Sequence, residues 1–418
     1  MTQPEIDRET ETNQFDSQVD SSARANLWAA TMSGNTDGGF TRAHTEQIIY
    51  VPFDGPSQIS NRPYSAVNDL NARLDAEHYL LSPSATFSTP GDFRRIKEVS
   101  HSSIKENIPL LGTDLRTRFE HDADRIKHSK AHRRLAGKTQ VHLRRSDHQR
   151  TRMTHTAEVE QIAVAISSAL RLNTALTSAI ALGHDCGHGP GGHASEDALS
   201  PFLPGGFNHA KFGADVTLVP LNLCFETLDG IRNHSWSLDT PTTPEAEVVS
   251  FSDRIAYVCH DLEDAISCGM VKVQDFPPDL KAFMGQSRGK QIDYFIRAVI
   301  KGTIESETIA MIQEYGEILK GMRAFNLEHI YRHPDCTHDN EEVISKLREL
   351  VEFLAENPHK FYEIAKKDSH QTFEGSDREL MGHVVEYVAG MTDNYAYRLH
   401  AQLLEKAPKL DPSALYQM

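Results

Sequence analysis

The stretch ALGHDCGHGPGGHASE, from Ala181 to Glu196, holds three histidines, two acidic residues and five glycines within sixteen positions. Structural histidines are usually scattered along a chain. Here His184, His188 and His193 lie at the end of an apolar run and in the glycine-rich loop that follows it. The pattern favours a loop that binds or transforms a ligand, and incidental histidines in a polar loop are the alternative.

The composition is typical of a globular protein, with 418 residues, 39% hydrophobic and 24% charged. No apolar run reaches the roughly 18 residues that span a bilayer, so no membrane partner is expected. The polar, acidic N-terminus does not resemble a secretory signal. Five scattered cysteines without a CxxC pair predict reduced thiols and a cytoplasmic location.

Positive charge is concentrated in one segment of an otherwise acidic chain. The net charge is −16, which argues against a uniformly basic nucleic-acid binder, yet residues 125–152 carry ten Lys/Arg and a single acid, Asp147. A concentrated basic run suits a polyanionic ligand. A solvated helix face is an equally good interpretation of the run taken alone.

The chain divides into three regions by composition. Residues 1–115 are rich in Ser, Gly, Pro and Asn and predict a partly ordered extension, with a short strand in EQIIYVPF and a helix in SAVNDLNARLDAEHYLL. Residues 116–290 predict a helical core that carries the site. Residues 291–418 predict further helices packed on that core.

Helical periodicity dominates after the extension, so the predicted fold class is all-α. In HTAEVEQIAVAISSALRLN the apolar positions follow helical spacing, and His155 lies on the same buried face. A second helix begins after Asn173, a plausible N-cap, and ends at the His184–Asp185 pair. A third begins near Pro244 and carries Asp253 on its polar face.

Four side chains on these helices predict a metal site. A lone histidine such as His155 is more often a satisfied core residue, but an adjacent His184–Asp185 pair at a helix end is less common. Asp253 lies in the apolar stretch VVSFSDRIAYV, where a carboxylate must be paired or bound. This mixed nitrogen and oxygen set suits a first-row divalent ion such as Mn, Fe, Co or Ni, with open positions for water and a phosphate oxygen.

The order H…HD…D and its flanking text resemble a known family. RTRMTHTAEVEQIA, AIALGHDCGHGPGGHASEDAL and EAEVVSFSDRIAYVCHDLEDAISCG are similar to motifs of the dGTPase-like deoxynucleotide triphosphohydrolases, which are HD-domain metallophosphohydrolases. FNLEHIYRHP and VVEYVAGMTDNYAYRL resemble its C-terminal helices. The resemblance covers roughly residues 117–405 and implies an HD-domain helical bundle over 116–290 with additional C-terminal helices.

The resemblance assigns roles to individual residues. It implies one divalent metal ion, Mg²⁺ or Mn²⁺ or another first-row ion, held by His155, His184, Asp185 and Asp253. It implies a catalytic dyad of His193 with Glu196, and phosphate-facing histidines at His188 and His209. It further implies phosphate, sugar or base contacts by Arg152, Arg254, Tyr257, Asp261, Gln140 and Lys138.

The implied reaction converts a dNTP, with dGTP expected, and water to a deoxynucleoside and triphosphate. The resemblance also implies a homo-oligomer, of which a hexamer is one form, a second dNTP as a candidate activator and single-stranded DNA as a candidate partner. The alternatives are another HD nucleotide phosphohydrolase, such as a nucleotidase or phosphodiesterase, and a nucleotide- or DNA-binding regulator without turnover.

Two positions depart from the family pattern. Cys186 stands where an aliphatic residue is usual, and Gly191 stands where an aromatic residue is usual. The missing ring predicts a looser catalytic loop or a wider pocket. No ligating or charged group of the motif is missing.

Overall fold

The structure is a computed structural model that describes residues 34–46, 48, 118–141, 149–369 and 377–404. In this part of the chain fifteen α-helices accompany one small three-stranded sheet, which confirms the predicted all-α class. The helices are α1 (Arg118–His128), α2 (Lys130–Arg134), α3 (Arg152–Ala169), α4 (Thr174–Gly183), α5 (His193–Leu199), α6 (His209–Phe212), α7 (Phe225–Asn233), α8 (Pro244–Ser267), α9 (Lys281–Met284), α10 (Arg288–Ser306), α11 (Gln313–Asn326), α12 (Pro334–Glu356), α13 (Pro358–Ser369), α14 (Asp377–Ala389) and α15 (Asp393–Leu403).

The three helices that carry the predicted metal ligands begin at capping residues. The Thr151 side chain accepts from Thr154 N at the start of α3. Asn173, the predicted N-cap of α4, accepts from the two N–H groups of Ala175 and Leu176, and Thr243 caps α8. Each cap satisfies backbone donors that a helix leaves open, so these starts are fixed by local sequence.

Helix α3 packs against both α4 and α8, and α4 also packs against α1. The apolar stripe predicted on α3 is buried at Val159, Ile162 and Ile166. These side chains belong to a large apolar cluster that extends through α7, α8, α10 and α11. The packing holds the start of α3, the end of α4 and the middle of α8 close together.

A second apolar cluster joins α5 to the C-terminal helices. Ala194, Ala198 and Leu199 of α5 lie with Val343 and Leu347 of α12, and the cluster continues through α13, α14 and α15. Helix α5 begins at His193, so the second cluster supports the loop that was singled out first in the sequence.

Part of the predicted N-terminal extension is integrated in the fold. Strands β1 (Asn35–Asp37) and β2 (Phe40–Arg42) form a hairpin closed by two glycines with positive φ, and β2 pairs with β3 (Met311–Ile312). The His44 ring lies 2.8 Å from Glu247 of α8. The strand predicted in EQIIYVPF and the helix predicted in SAVNDLNARLDAEHYLL fall almost wholly outside the described residues.

The domain boundaries at residues 115 and 290 remain predictions. The apolar side chains of α10 and α11 pack in the first cluster and those of α5 pack in the second, so the two clusters do not follow the order of the chain. Among the described ranges, no helix is both long and apolar enough to cross a membrane.

One buried carboxyl ties together two of the helices that carry the site. Glu245, in the first turn of α8, accepts a hydrogen bond from the N–H of Asn173 at 2.9 Å and is 2% exposed. Burial raises the pKa of Glu245 to about 7 from 4.5, although the hydrogen bond from Asn173 opposes the rise. The folded protein therefore binds more protons than the unfolded chain between these values, and this group makes the free energy of unfolding fall as pH rises through them.

We expect Glu245→Gln to stabilise the protein at alkaline pH. Glutamine keeps an acceptor for Asn173 and carries no charge to desolvate. The free energy of unfolding at pH 8 should rise by about 1–3 kcal/mol, with little change at pH 4.5. Urea denaturation across this pH range measures it. Glu247→Gln, which weakens the contact with His44, is the control and should not stabilise. A difference independent of pH would contradict the assignment.

Candidate active site

A cavity of about 340 Å³ lies between the two apolar clusters. Helices α3 and α8 form one side, and the glycine-rich loop before α5 and the first turns of α12 form the other. Of the residues singled out in the sequence, those that line it are Gln140, Arg152, His155, Asp185, His188, Gly191, His193, His209, Asp253, Tyr257 and Asp261. His184 and Glu196 lie directly behind this lining and contact it, as described below.

The four predicted metal ligands meet at one end of the cavity. His155 Nε2 lies 3.0 Å from Asp253 Oδ1, and His184 Nε2 lies 3.7 Å from the same oxygen. Asp185 Oδ1 lies 3.6 Å from His184 Nε2. Ligand atoms of His155, His184 and Asp253 all fall within 4.8 Å of one another, which is close enough to share one ion.

The hydrogen bond on the far side of His184 orients its ring for this role. Its Nδ1 donates to the carbonyl of Ala181 at 2.6 Å, which leaves the lone pair on Nε2. That nitrogen is fully buried, makes no hydrogen bond, and faces the carboxylates of Asp185 and Asp253. A buried imidazole lone pair beside two carboxylates fits a cation, so the residues present suit a divalent metal.

Asp185 has two further partners besides His184. Its Oδ2 accepts from Arg152 Nη1 at 2.9 Å, and its Oδ1 lies 3.2 Å from His188 Nε2. Burial alone would raise the pKa of Asp185, but Arg152, His184 and His188 outweigh burial and hold this pKa well below 3.8. The side chain is therefore anionic at neutral pH. Asp253 is likewise anionic, because His155 and His184 outweigh its burial and lower its pKa.

The predicted dyad is formed, and Glu196 serves two histidines. Its Oε2 lies 3.1 Å from His193 Nδ1, and its Oε1 accepts from His209 Nδ1 and from His209 N, both at 2.8 Å. The rings of His188 and His209 stack with centroids 3.7 Å apart. His188 thus connects the dyad to Asp185 within a single cluster of imidazoles.

Desolvation keeps His188 and His193 neutral in the ligand-free protein. Desolvation lowers the pKa of His193 to about 4, more than its hydrogen bond to Glu196 raises it. Desolvation and the nearby Arg152 and His209 lower the pKa of His188 well below 6.5. An anionic ligand in the cavity would raise both pKa values, because opposite charge favours the protonated ring.

The other end of the cavity holds two hydrogen-bonded pairs, each of which joins a predicted residue of α8 to a residue that was not predicted. Tyr331 donates from its hydroxyl to Asp261 Oδ2 at 2.6 Å, and Arg323 Nε donates to the hydroxyl of Tyr257 at 3.1 Å. Burial raises the pKa of Asp261 to about 7, although the hydrogen bond from Tyr331 opposes the rise. Asp261 lies eight positions after Asp253 on α8, about 12 Å along the helix axis.

Two predicted substrate contacts are placed elsewhere. Lys138 is 2% exposed and does not line the cavity; its ammonium donates to the carbonyls of His188 and Ala389. Arg254 also lies outside the lining, with its guanidinium carbon 3.5 Å from the centre of the Trp236 ring. A base-side or sugar-side contact by Lys138 and phosphate binding by Arg254 both remain predictions.

Several lining residues were missed. His234 lies with its Nε2 3.3 Å from His209 Nε2, and its Nδ1 contacts the carbonyl of Ile231 at 2.8 Å. His234 follows the last residue of α7 directly, but a single histidine after a helix was not a distinctive signal. Further missed residues of the lining are Val141, Ala194, Asp197, Ser235, Leu327, Tyr331, Arg332, Cys336, Thr337, Asn340 and Ile344.

The basic run does not form one continuous positive surface in its described part. Arg152 reaches the cavity, whereas Arg150 is held by acidic residues, at 3.1 Å from Glu158 and 2.6 Å from Glu263. Arg125 donates to backbone carbonyls of the segment before α7. Residues 142–148 of the run lie outside the described ranges, and a polyanion contact by the run stays a prediction.

Comparison with known proteins finds two family matches along the chain. Residues 152–258 match the HD domain family, and residues 309–402 match the phosphohydrolase-associated domain family. The first match begins at Arg152 and contains all four predicted ligands. The second covers α11 to α15 almost completely.

Three relatives share the name deoxyguanosinetriphosphate triphosphohydrolase-like protein. The one from Caldanaerobacter subterraneus subsp. tengcongensis is 39% identical over 345 residues, covering 80% of this chain and 95% of its own length. That of Clostridium perfringens strain 13 is 38% identical, with coverage of 73% and 93%. That of Desulfatibacillum aliphaticivorans is 34% identical, with coverage of 72% and 91%. The chain therefore belongs to the dGTPase-like family of HD-domain phosphohydrolases.

Proposed function

We propose that this protein is a metal-dependent deoxynucleoside triphosphate triphosphohydrolase, with dGTP as the expected substrate. One observation carries the proposal. The His193–Glu196 dyad and the ligand cluster share one cavity, and His188 contacts both, at 3.2 Å from Asp185 and with its ring centroid 4.9 Å from that of His193. A proton donor therefore stands beside the place where a phosphorus atom would be attacked.

The metal ligands of the proposal are His155, His184, Asp185 and Asp253. A divalent ion bound there, with Mg²⁺ and Mn²⁺ as first candidates, would polarise water and a phosphate oxygen. Arg152 holds Asp185 in place through its Nη1, while its Nε and Nη2 are buried without hydrogen-bond partners. These two donors are suited to a phosphate oxygen, because guanidinium and phosphate form charge-assisted pairs.

The substrate orientation follows from the two ends of the cavity. The phosphates lie toward Arg152 and the imidazole cluster, and the sugar lies toward Asp261 and Tyr331. Water attacks the α-phosphorus, and His193 gives a proton to the departing 5′-oxygen. The negative charge of the substrate raises the pKa of His193 from its low ligand-free value, so the ring can carry that proton. Glu196 fixes the tautomer and stabilises the charged ring.

The proposal extends to location and assembly. All five cysteines lie within the described residues and are free thiols, which supports a reducing compartment such as the cytoplasm. A homo-oligomer, including a hexamer, activation by a second dNTP and contact with single-stranded DNA are expectations carried by family membership.

Asp253→Ala should abolish both metal binding and activity. The substitution removes an anionic group that His155 and His184 face, so the affinity for a divalent ion falls. Elemental analysis of the purified variant and its turnover of dGTP measure the effect. Asp215→Ala is the control, since Asp215 is paired with Arg232 on the surface. Full metal occupancy with near-normal turnover would remove Asp253 from the ligand set.

His193→Ala should separate chemistry from binding. The ligand cluster stays whole, but the proton route is lost, and general acid–base groups contribute about 10²–10⁴-fold. We expect kcat to fall by that order with a modest change in KM. The exposed His338 supplies the control variant, His338→Ala. A large rise in KM at unchanged kcat would make His193 a binding residue.

The bond that breaks tests the reaction type. Hydrolysis of each dNTP in ¹⁸O-labelled water should place the label in intact triphosphate and none in the nucleoside, because His193 serves an alkoxide leaving group at the α-phosphorus. Anion-exchange chromatography with mass spectrometry resolves the products. Label in orthophosphate with dNDP, or release of a monophosphate, would instead assign a different HD phosphohydrolase activity.

A further inference from the structure

A single carboxylate from the C-terminal helices holds the catalytic loop by its backbone. Asp393, the first residue of α15, accepts from Gly191 N at 2.8 Å through Oδ1. Its Oδ2 accepts from Thr139 N at 2.9 Å and from the Thr139 hydroxyl at 2.7 Å. The side chain is 8% exposed, so these three hydrogen bonds are formed away from water.

A buried lysine provides a second attachment of the same loop. Lys138 donates to the carbonyl of Ala389 at the end of α14, at 2.9 Å, and to the carbonyl of His188. Burial lowers the pKa of Lys138 to about 7, with Asp393 opposing the shift. The loop is thus attached near its beginning through His188 and near its end through Gly191, both times to the turn between α14 and α15.

The loop needs such attachments because its own sequence does little to fix it. Gly191 and Gly192 have φ values of +74° and +62°, which residues with side chains rarely adopt. A Cβ on Gly192 would lie 2.5 Å from Arg152 Nη2. Ser195 adds bonds within the loop, to Gly189 N and Gly192 O. Those bonds shape the loop but do not connect it to the rest of the cavity wall.

We propose that Asp393 and Lys138 are positioning residues that hold the catalytic loop so that His188 and His193 face the reacting phosphate. The proposal rests on the function proposed above. In this proposal the residues at the junction of α14 and α15 support catalysis from outside the cavity. No residue of α14 or α15 lies among the described residues that line it.

The decisive variant is Asp393→Asn, which changes one oxygen to an amide nitrogen of nearly the same size. The remaining oxygen can serve Thr139 or Gly191 but not both, and the new N–H₂ group faces a donor. We expect kcat to fall about tenfold to a hundredfold, since small displacements of catalytic groups have effects of this order. KM should change less than about threefold and metal content should not change, because the ligand cluster is untouched.

Hydrogen exchange tests the attachment without any turnover. In the substrate-free protein, peptides spanning residues 186–199 should exchange at least about tenfold faster in Asp393→Asn than in the wild type. Lys138→Met, which removes the other attachment, should speed exchange in the same peptides. If the wild type hydrolyses no dNTP, the proposed function fails, while this exchange measurement still decides whether the loop is attached as described.

His400→Gln is the matched control. His400 lies on α15 and pairs with Glu349 of α12 at 2.8 Å, so its loss weakens the docking of the same helix without touching the loop. It should leave kcat and loop exchange as in the wild type. Unchanged loop exchange in both Asp393→Asn and Lys138→Met would overturn the proposal. An equal fall of kcat in His400→Gln would also overturn it, because the effect would then follow from general loosening of α15.

Discussion

Two carboxylates, the buried Asp185 and the partly buried Asp253, lie at the junction of α3, α4 and α8, and the rest of the site depends on how their charges are balanced. An ionised carboxyl away from water is costly unless cations or donors surround it. Arg152 and His188 contact Asp185, and His155 contacts Asp253. These partners come from the start of one helix and from a loop, so the charges can be satisfied only when all of these segments converge.

The apolar clusters make that convergence possible, and each cluster holds a different part of the site. The first cluster fixes the helices that present the ligand group, and the second fixes α5 and the helices behind it. The ligand group is therefore carried by long, capped helices, whose relative positions are set by packing. The predicted dyad is carried by a short helix after a glycine-rich loop. In that loop Gly191 N donates to Asp393 of α15, and the carbonyl of His188 accepts from Lys138 of the segment before α3. Because the two groups are held separately, a substitution that displaces the dyad can leave the ligand group in place.

The sequence predicted the parts of the site that are encoded locally. Periodicity and caps located α3, α4 and α8, and the spacing within one sixteen-residue stretch brought His184, His193 and Glu196 into consideration together. Contacts between distant segments were not predictable in this way. Lys138 donates to a carbonyl 251 positions away, and the guanidinium of Arg254 lies over the Trp236 ring. No local sequence pattern predicts the direction of either side chain. Tyr331 lies in the stretch FNLEHIYRHP and Arg323 lies just before it, but no pattern in the sequence points either side chain toward the cavity. Their contacts with Asp261 and Tyr257 form because α11 and the segment that follows it pack on α8.

The neutral state of His188 and His193 follows from the same electrostatic constraint that acts on the two carboxylates. Arg152 already places a fixed positive charge in the cavity, and burial together with that charge lowers the pKa of His188. If the rings were charged before a ligand arrived, they would repel one another and any cation held by the neighbouring ligand group. An arriving polyanion reverses the balance, since it neutralises Arg152 and favours protonation of the rings beside it. Under the proposed function, proton uptake is thereby linked to substrate binding, and the proton for the leaving group enters with the substrate.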